Sequence, residues 1–379
     1  MSKRVDVREW LEFQWPYLVS LMGGVARIEE LARETEAFRR PRKIESAESL
    51  LRLILMWAAA ERSLKDTAAL GAEAGLGDVS DVALVKRFAR AGDWLGALLS
   101  ELLVDQRQTL PIGVRVRLLD ATSITRLGSR GNDHRVHLGL DLGSNRIDSI
   151  ELTNQKGTER LERFSVSPGE IEVGDRGYGH RSGMAHVAQR GAFFVVRFAW
   201  SSIPLQTPDG QPFQLLEAMR SLPEAACAEF PVCYIGPNNE LLNARLVAIR
   251  KSEPAAARAR QKVFREKTKK SRAAVDVRTL EIAGYFFVLT NLPPACSAQS
   301  VLQLYRFRWQ IEMKFKVLKS ILHLDRVPAR TDEGLRVYVF AKLLIALLVD
   351  SLLYQADSFS PWGYPIATSQ HLASVSATP

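Results

Sequence analysis

The chain has 379 residues, of which 46% are hydrophobic, and it carries a net charge of +9. A chain of this length can bury a large core and suggests roughly two or three domains. The positive charge favours a polyanionic partner such as nucleic acid. Its three cysteines lack the spacing of a zinc site or a disulfide framework. The N-terminal residues lack the apolar core of a signal peptide, so we expect a cytoplasmic protein.

Residues 1–110 are predicted to form a helical region. Two short helical segments follow Leu50 to Ala60, separated by Gly and Asp, and the second begins at a capping serine, Ser80. This order resembles a helix-turn-helix, in which Lys86, Arg87 and Arg90 would lie on the exposed side of the second helix, available to phosphates or bases. An ordinary helical bundle with a basic surface explains the same pattern, and the sequence leaves both alternatives open.

From residue 114 the period becomes strand-like. Three strands, VRVRLLDATSI, RVHLGLDLG and RIDSIELTN, are followed by a helix TERLERFSV, a strand IEVGD, a second helix and a strand AFFVVRFAW. Three antiparallel strands followed by alternating helix and strand is the order of a ribonuclease H-like α/β domain. The sequence therefore predicts such a core over 111–199, resuming over 284–350 with the strand YFFVLTNLP.

Residues 200–283 interrupt this core. They are rich in Pro, Gly and short strand signals, and we predict a mostly β insertion domain. The insertion carries a basic run, RARQKVFREKTKKSR, which favours contact with phosphates over an ordinary solvated helix. Residues 351–379 are predicted to be a tail. The apolar segment Val337 to Tyr354 is interrupted by Lys342 and Asp350, which favours a buried helix over a membrane span.

The segment YRFRWQIEMKFKVLK has one polar face. On a single helix, five side chains would fall within an arc of roughly 80°, namely Tyr305, Arg308, Glu312, Lys316 and Lys319. A carboxylate among cations on one face is typical of a metal ligand beside groups that hold phosphates. A surface helix with ion pairs four residues apart is the alternative.

Two aspartates follow apolar strands at distant points of the chain. Asp120 closes VRLLD and Asp175 closes IEVGD, so we expect both where a strand meets a loop. Each alone is equally typical of a helix cap or a turn. Together with Glu312 they could hold two Mg²⁺ ions for phosphoryl transfer.

Two other acidic residues have simpler explanations. Alternation along its strand predicts a solvated side chain for Asp141. Glu159 opens the predicted helix TERLERFSV, where an acid in the first turn complements the helix dipole. Proximity of Glu159 to the site is left open.

The chain resembles bacterial DDE-type insertion-sequence transposases, specifically the insertion sequence four family with its Y-R-E-K signature. Tyr305, Arg308, Glu312 and Lys319 match every spacing of that signature, and LLDATSI, GDRGYG and VLTNLP match the preceding blocks. The resemblance covers roughly residues 50 to 345. It implies a ribonuclease H-like core, a β insertion and a helical N-terminal region that binds DNA ends.

By that resemblance, Asp120, Asp175 and Glu312 are the catalytic metal ligands, holding two Mg²⁺ ions for which Mn²⁺ can substitute. Relatives of this subgroup stack a displaced base on an aromatic side chain, and Phe286 is the candidate here. The other predicted DNA contacts are Tyr305, Arg308, Trp309, Lys316, Lys319, Arg258, Arg260, Lys262, Arg265, Lys267, Lys269 and Lys270.

The implied function is cut-and-paste transposition of an insertion sequence through end cleavage, a hairpin intermediate and strand transfer. The implied partners are double-stranded transposon ends and target DNA, bound by a homodimer associated with the nucleoid, and no membrane. A metal-dependent nuclease or resolvase of the same fold is one alternative, because hydrolysis and strand transfer use the same carboxylates. An inactive transposase-derived DNA-binding protein is the other.

Overall fold

The computed structural model of the protein describes residues 15–108, 114–129, 131–270 and 275–358; side chains at 104–108, 267–270, 326 and 354–358 are not described. The described N-terminal residues include the helices α1 (Gly24–Glu34), α2 (Ala47–Ala60), α3 (Leu64–Glu73), α4 (Asp81–Phe88) and α5 (Gly92–Gln108). Serine hydroxyls cap α2, α3 and α4 by accepting a backbone N–H three residues along the chain. The helix predicted to run on from Ser80 ends at Phe88, and α5 starts after a short turn.

A mixed sheet of nine strands forms the centre of the described chain. The strands are β1 (Val116–Arg126), β2 (His134–Asp141), β3 (Arg146–Asn154), β4 (Ile171–Gly174), β5 (Phe193–Arg197), β6 (Cys227–Ile235), β7 (Leu241–Arg250), β8 (Tyr285–Thr290) and β9 (Arg326–Val327). Their order is β3-β2-β1-β4-β5-β8-β7-β6, and β9 pairs with β1. The antiparallel strands β1 to β3 are followed by β4 and β5 parallel to β1. The protein is therefore a mixed α/β protein with a large open sheet.

The region 200–283 differs from its predicted mostly β content. Besides β6 and β7 it contains three helices: α7 (Leu215–Arg220), α8 (Glu253–Lys270) and α9 (Val277–Ile282). Residues 258–270 of the basic run fall in α8, because its Ala, Arg, Lys, Gln and Glu residues are strong helix formers. The β6–β7 hairpin joins the central sheet, since β7 pairs with β8 from Arg250 beside Tyr285 to Arg245 beside Thr290.

The remaining helices lie on either side of the sheet. They are α6 (Arg181–Gln189), α10 (Ala298–Arg306), α11 (Trp309–Ser320) and α12 (Asp332–Ser358). Helix α12 continues past residue 350, where we expected the tail to start. An ion pair of 2.7 Å between Lys314 and Asp350 joins α11 to α12. Among the described residues, no helix is long and apolar enough to cross a membrane.

Alternation along the strands divides the core into two layers. Leu118, Val195 and Val288 pack with the N-terminal helices and α10 to α12 on one face. The next residues in the same strands, Leu119 among them, pack with α6 and α7 on the other face. Both faces of the central strands are therefore buried, as is typical of strands covered by helices.

A buried ion network lies at the start of β1 and β4. Arg117, which is 1% exposed, donates to Glu172 over 2.7 Å and to Asp148 over 2.9 Å. Arg115 lies 3.4 Å from Asp141, whose side chain is buried. The prediction of a solvated Asp141 was therefore wrong, because Arg115, which directly precedes β1, supplies its counter-charge.

The network predicts a pH-dependent contribution to stability. Burial raises the pKa of Glu172 from 4.5 to about 8, against the opposing effect of Arg117. The folded protein thus binds this proton more tightly than the unfolded chain, and the stabilisation is complete below pH 4.5 and is lost as pH rises through about 8. Glu172→Gln should therefore gain stability relative to wild type between those values, measured as the free energy of unfolding in urea. A difference that does not change with pH would contradict this assignment.

Arg117→Met is the matched change on the other side of the pair. It leaves the Asp148 carboxylate buried without this cation, so we expect a loss of about 3–5 kcal/mol in the free energy of unfolding. The same urea titration measures it. Equal effects of Arg117→Met and Glu172→Gln would show that the two side chains contribute by packing alone.

Candidate active site

Asp120 lies at the point where β1 loses one of its neighbours. Residues Val116 to Leu119 pair with β4, and the last pair is Leu119 beside Gly174. We predicted that the strand would end at Asp120. It continues to Arg126 because β1 remains paired with β2 beyond Asp120. Asp120 therefore faces a gap in the sheet edge, and one carboxylate oxygen accepts the Ala121 N–H at 2.9 Å.

Asp175 follows β4 directly and begins a 3₁₀ turn, Arg176–Tyr178, whose first N–H its side chain accepts. Because β1 and β4 are parallel, Asp120 and Asp175 both follow the register pair Leu119 and Gly174 and are neighbours. Gly174 makes the turn possible, since a Cβ there would lie 2.7 Å from the Tyr178 Cβ.

The Y-R-E-K segment is two helices, where we predicted one polar helical face. Helix α10 ends at Arg306 and α11 begins at Trp309. The intervening turn is tightened by bonds over three residues, from the Arg308 N–H to the Tyr305 carbonyl at 3.1 Å and from the Gln310 N–H to the Phe307 carbonyl at 2.9 Å. Arg308 therefore lies in the turn that joins the two helices.

The Arg308 guanidinium lies among the three predicted carboxylates. Its Nη1 is 3.9 Å from Asp120 Oδ2, and its Nη2 donates to Glu312 Oε1. Burial lowers the pKa of Arg308, but the neighbouring Tyr305, Asp175 and Glu312 raise it by more. The side chain is 14% exposed. Asp120 of β1 and Glu312 of α11 therefore pair with one cation, and the charge of Asp175, which follows β4, also acts on it.

A fourth carboxylate, Glu159, lies beside this group. Burial raises the pKa of Asp120 to about 6, and the charges of Glu159 and Asp175 add to that effect while Ala121 and Arg308 oppose it. Glu159 precedes a single 3₁₀ turn, Leu161–Arg163, and does not open the helix that we predicted. Its carboxylate lies against Gly177, where a Cβ would come within 1.6 Å of Oε2.

The donor set fits a divalent cation in its chemistry, because carboxylate oxygens are the ligands that Mg²⁺ and Mn²⁺ prefer. Within the described residues, however, no three acidic, histidine or cysteine side chains form a metal-binding group. Glu312 is 51% exposed and is paired with Arg308. The assignment of Asp120, Asp175 and Glu312 as metal ligands stays a prediction.

Comparison with known proteins matches residues 113–348 to the family model described as a transposase DDE domain. The chain belongs to this DDE transposase family. It is 33% identical over 355 residues to the putative transposase InsL of IS186A from Escherichia coli K12, covering 92% of this chain and 96% of that one. The transposase of IS421 from Escherichia coli is also 33% identical, with the same coverage. The predicted DDE-type insertion-sequence transposase is therefore confirmed, while the Y-R-E-K subgroup stays a prediction.

More distant proteins match with lower identity. The transposase of IS231F from Bacillus thuringiensis subsp. israelensis is 25% identical, covering 86% of this chain and 77% of that one. Among solved structures, the piggyBac transposase synaptic complex with hairpin DNA aligns with 10% identity and a TM-score of 0.44, over 97% of this chain and 84% of that chain. That likeness is too low to establish a shared fold.

The other signature residues of the transposase surround the carboxylates unevenly. Tyr305 is buried, with Arg308 5.8 Å from its ring centre. Trp309 is exposed on α11. Lys316 and Lys319 line an open groove with Glu312, which places cations on the exposed side of that carboxylate.

The remaining predicted DNA contacts divide into two groups. Phe286 of β8 is half-buried, with its ring centre 5.3 Å from that of Tyr305. Four basic residues lie on α8: Arg258, Arg260, Lys262 and Arg265. Arg260 is paired with Glu253, which reduces its free charge. The side chains of Lys267, Lys269 and Lys270 lie outside the described residues.

The sequence analysis missed three cations at the edge of the sheet that carries the active site. Arg176 directly follows Asp175, Arg197 ends β5, and Lys251 follows β7. Each is a basic residue immediately after an apolar strand or its aspartate. The sequence contains this pattern, but only the order of the strands in the sheet shows that these strand ends lie near one another.

The close approach at Gly174 gives a test of the turn that holds Asp175. Gly174→Ala should cost about 1–3 kcal/mol of unfolding free energy, because the buried Tyr178 side chain cannot move away from the new methyl group. DNA cleavage should fall with it, since Asp175 follows in the chain.

Gly131→Ala is the matched control. A Cβ at Gly131 meets nothing within 4 Å, so the free energy of unfolding should change by less than about 0.5 kcal/mol. Thermal and urea denaturation of both variants provide the comparison. A Gly174→Ala protein as stable as Gly131→Ala would contradict the packing described for this turn.

Proposed function

We propose that this transposase moves an insertion sequence by cut-and-paste transposition, with Asp120, Asp175 and Glu312 as its catalytic carboxylates. The observation that supports this assignment is that Asp120 and Glu312 both pair with the guanidinium of Arg308, while Asp175 follows the strand register beside Asp120. Carboxylates brought together from distant parts of a chain repel one another, so a fold that gathers them requires a cation there.

The proposed core is ribonuclease H-like, comprising 111–199 and 284–350. The order β3-β2-β1-β4-β5, with three antiparallel strands followed by two parallel ones, supports it. Residues 1–110 would bind the DNA ends, 200–283 would be an insertion within the core, and 351–379 would be a C-terminal segment. Pairing of β7 with β8 argues that the insertion is continuous with the sheet of the core.

Two Mg²⁺ ions, or Mn²⁺ in their place, would activate the attacking oxygen and stabilise the leaving oxygen of each phosphoryl transfer. Arg308 must release Glu312 before that carboxylate can join Asp120 and Asp175 as a ligand. The released guanidinium can then form a bidentate contact with a phosphate of the DNA end. Arg308 would therefore neutralise the carboxylates before DNA binds and hold the backbone afterwards.

Other residues of the site would hold the DNA end during cleavage, hairpin formation and strand transfer. Lys316 and Lys319 lie beside Glu312 on the open groove, and Tyr305 and Trp309 lie on either side of the Arg308 turn. Phe286 would stack a displaced base, supported by its half-buried position beside Tyr305. The partners would be paired transposon ends and target DNA, held by a homodimer in the cytoplasm at the nucleoid.

Carboxylate replacement tests the catalytic assignment. Asp120→Asn, Asp175→Asn and Glu312→Gln should each reduce Mg²⁺-dependent cleavage of a transposon-end duplex by at least about 100-fold, because each removes a charge needed at the reacting phosphate. Binding of the same duplex in EDTA should persist, which separates catalysis from folding. Full cleavage by Glu312→Gln would overturn the assignment.

The products of wild-type cleavage test the cut-and-paste step itself. With paired ends, target DNA and Mg²⁺, we expect hairpins followed by joined products on denaturing gels. Cleavage that yields neither hairpins nor joined strands would show a nuclease of the same family fold without strand transfer.

The two roles of Arg308 give a separate test. Arg308→Met should tighten Mn²⁺ binding by DNA-free protein about tenfold or more, because it removes a charge in contact with the carboxylates. It should also weaken DNA-end binding. Lys316→Met, which removes an exposed charge from the same helix, should change Mn²⁺ affinity much less. Electron paramagnetic resonance titration measures the Mn²⁺ affinity of both variants. Equal changes in Mn²⁺ affinity in Arg308→Met and Lys316→Met would show a general charge effect.

A further inference from the structure

Three cations meet at the sheet edge beside the active site, and none of them belongs to the signature segment. Arg176 follows Asp175, Arg197 ends β5, and Lys251 follows β7. Strand pairing explains why they meet. Gly174 of β4 pairs with Val196 of β5 in parallel, whereas β8 is antiparallel to both β5 and β7. The carboxyl ends of β4, β5 and β7 therefore lie at the same edge.

Close contacts in the backbone fix this arrangement. A Cβ built on Gly179, in the turn after Arg176, would lie 3.4 Å from the Arg197 carbonyl oxygen. The Lys251 N–H donates to the Gly284 carbonyl at 2.9 Å, just before β8. The Lys251 Nζ donates to the Ala283 carbonyl at 2.6 Å. These contacts place the turn that contains Arg176 beside the end of β5 and attach Lys251 to the residues before β8.

The cations have no neutralising partner in the part of the chain that the structure describes. None of the ion pairs formed by the described residues includes Arg176, Arg197 or Lys251. Burial lowers the pKa of Lys251, and the charges of Arg197 and Arg176 lower it further. Like charges gathered in this way destabilise the free protein, and an anion between them would remove the repulsion.

The three cations also connect the active site to the basic helix α8. On one side, the Arg197 guanidinium lies 5.4 Å from the ring centre of Phe286, which in turn contacts Tyr305. On the other side, a Cβ on Gly284 would lie 3.6 Å from Nη2 of Arg260 on α8. Cationic groups thus follow one another from the carboxylates to α8.

We propose that Arg176, Arg197 and Lys251 form a phosphate-binding track for the DNA strand that runs between the catalytic carboxylates and α8. The ligand is the phosphodiester backbone, because cationic side chains without carboxylate partners among the described residues favour phosphates, whose contacts position a nucleic acid without reading its sequence. The inference rests on the proposed function, since it assigns the path of the same substrate.

Salt-dependent binding tests the track without catalysis. The probe is a fluorescein-labelled DNA duplex of mixed sequence, titrated with full-length protein in EDTA over a range of salt concentrations. Each lost phosphate contact should reduce the slope of log affinity against log salt by about 0.9. We expect this reduction for Arg197→Gln and for Lys251→Gln, the second of which retains a donor for the Ala283 carbonyl.

Arg190→Gln is the matched control. Arg190 precedes β5 and Arg197 ends it, so the two arginines lie at opposite ends of one strand. The control should keep the wild-type slope, and Arg197→Lys should restore the slope lost in Arg197→Gln. Wild-type slopes for Arg197→Gln and Lys251→Gln would overturn the track. An equal loss in Arg190→Gln, or no recovery in Arg197→Lys, would also overturn it, by showing a net-charge or packing effect.

The outcome can be told apart from failure of the proposed function. Cleavage and joining by the wild-type protein in Mg²⁺ test the function, whereas the salt slopes are measured in EDTA. Normal joined products from the wild-type protein, together with wild-type salt slopes for Arg197→Gln and Lys251→Gln, would contradict the track and leave the proposed function intact. Reduced slopes without any cleavage products would leave a DNA-binding track in a protein that does not transpose.

Discussion

The active site depends on the parallel register of β1 and β4. The pair Leu119 and Gly174 brings Asp120 and Asp175 to the same level of the sheet. Two residues earlier, Arg117 lies beside Glu172 in the same register, and the Arg117 side chain donates a buried hydrogen bond of 2.7 Å to Glu172. A slip of one residue would move every side chain of a strand to the opposite face and leave this arginine without its partner in the core. The ion network thus fixes the register on which the aspartates depend.

The positive charge of Arg308 offsets the repulsion between the carboxylates that this register brings together. Asp120 and Asp175 are neighbours, and burial together with the charge of Asp175 makes ionisation of Asp120 less favourable. The guanidinium at the junction of α10 and α11 supplies the missing positive charge and also binds Glu312. Since that junction is a tight turn, the cation is held by the backbone and not by a flexible loop. The arrangement stabilises the site before substrate arrives.

The sequence predicted the parts of the site that depend on local pattern, and missed those that depend on tertiary contacts. Apolar runs located Asp120 and Asp175, and residue spacing located Arg308 and Glu312. The break between α10 and α11 was missed because every residue there suits a helix, and only the neighbouring carboxylates explain where Arg308 lies. Asp141 was assigned to solvent for the same reason, since its partner Arg115 directly precedes another strand. The order of three antiparallel strands followed by alternating helix and strand was readable, whereas the attachment of β7 to β8 was not.

An enzyme that cleaves a polyanion with carboxylates must bring phosphates towards negative charge. In this protein the two signs are separated along one edge of the sheet: carboxylates lie where the pairing of β1 with β4 ends, and cations without carboxylate partners in the described chain lie at the ends of β5 and β7. Arg176 directly follows Asp175, so the boundary between the two falls within one turn. Under the proposed function, the cations can hold the backbone beside the carboxylates while divalent ions neutralise only the phosphate that reacts. The same strand ends that bring the aspartates together therefore also determine where the DNA strand leaves them.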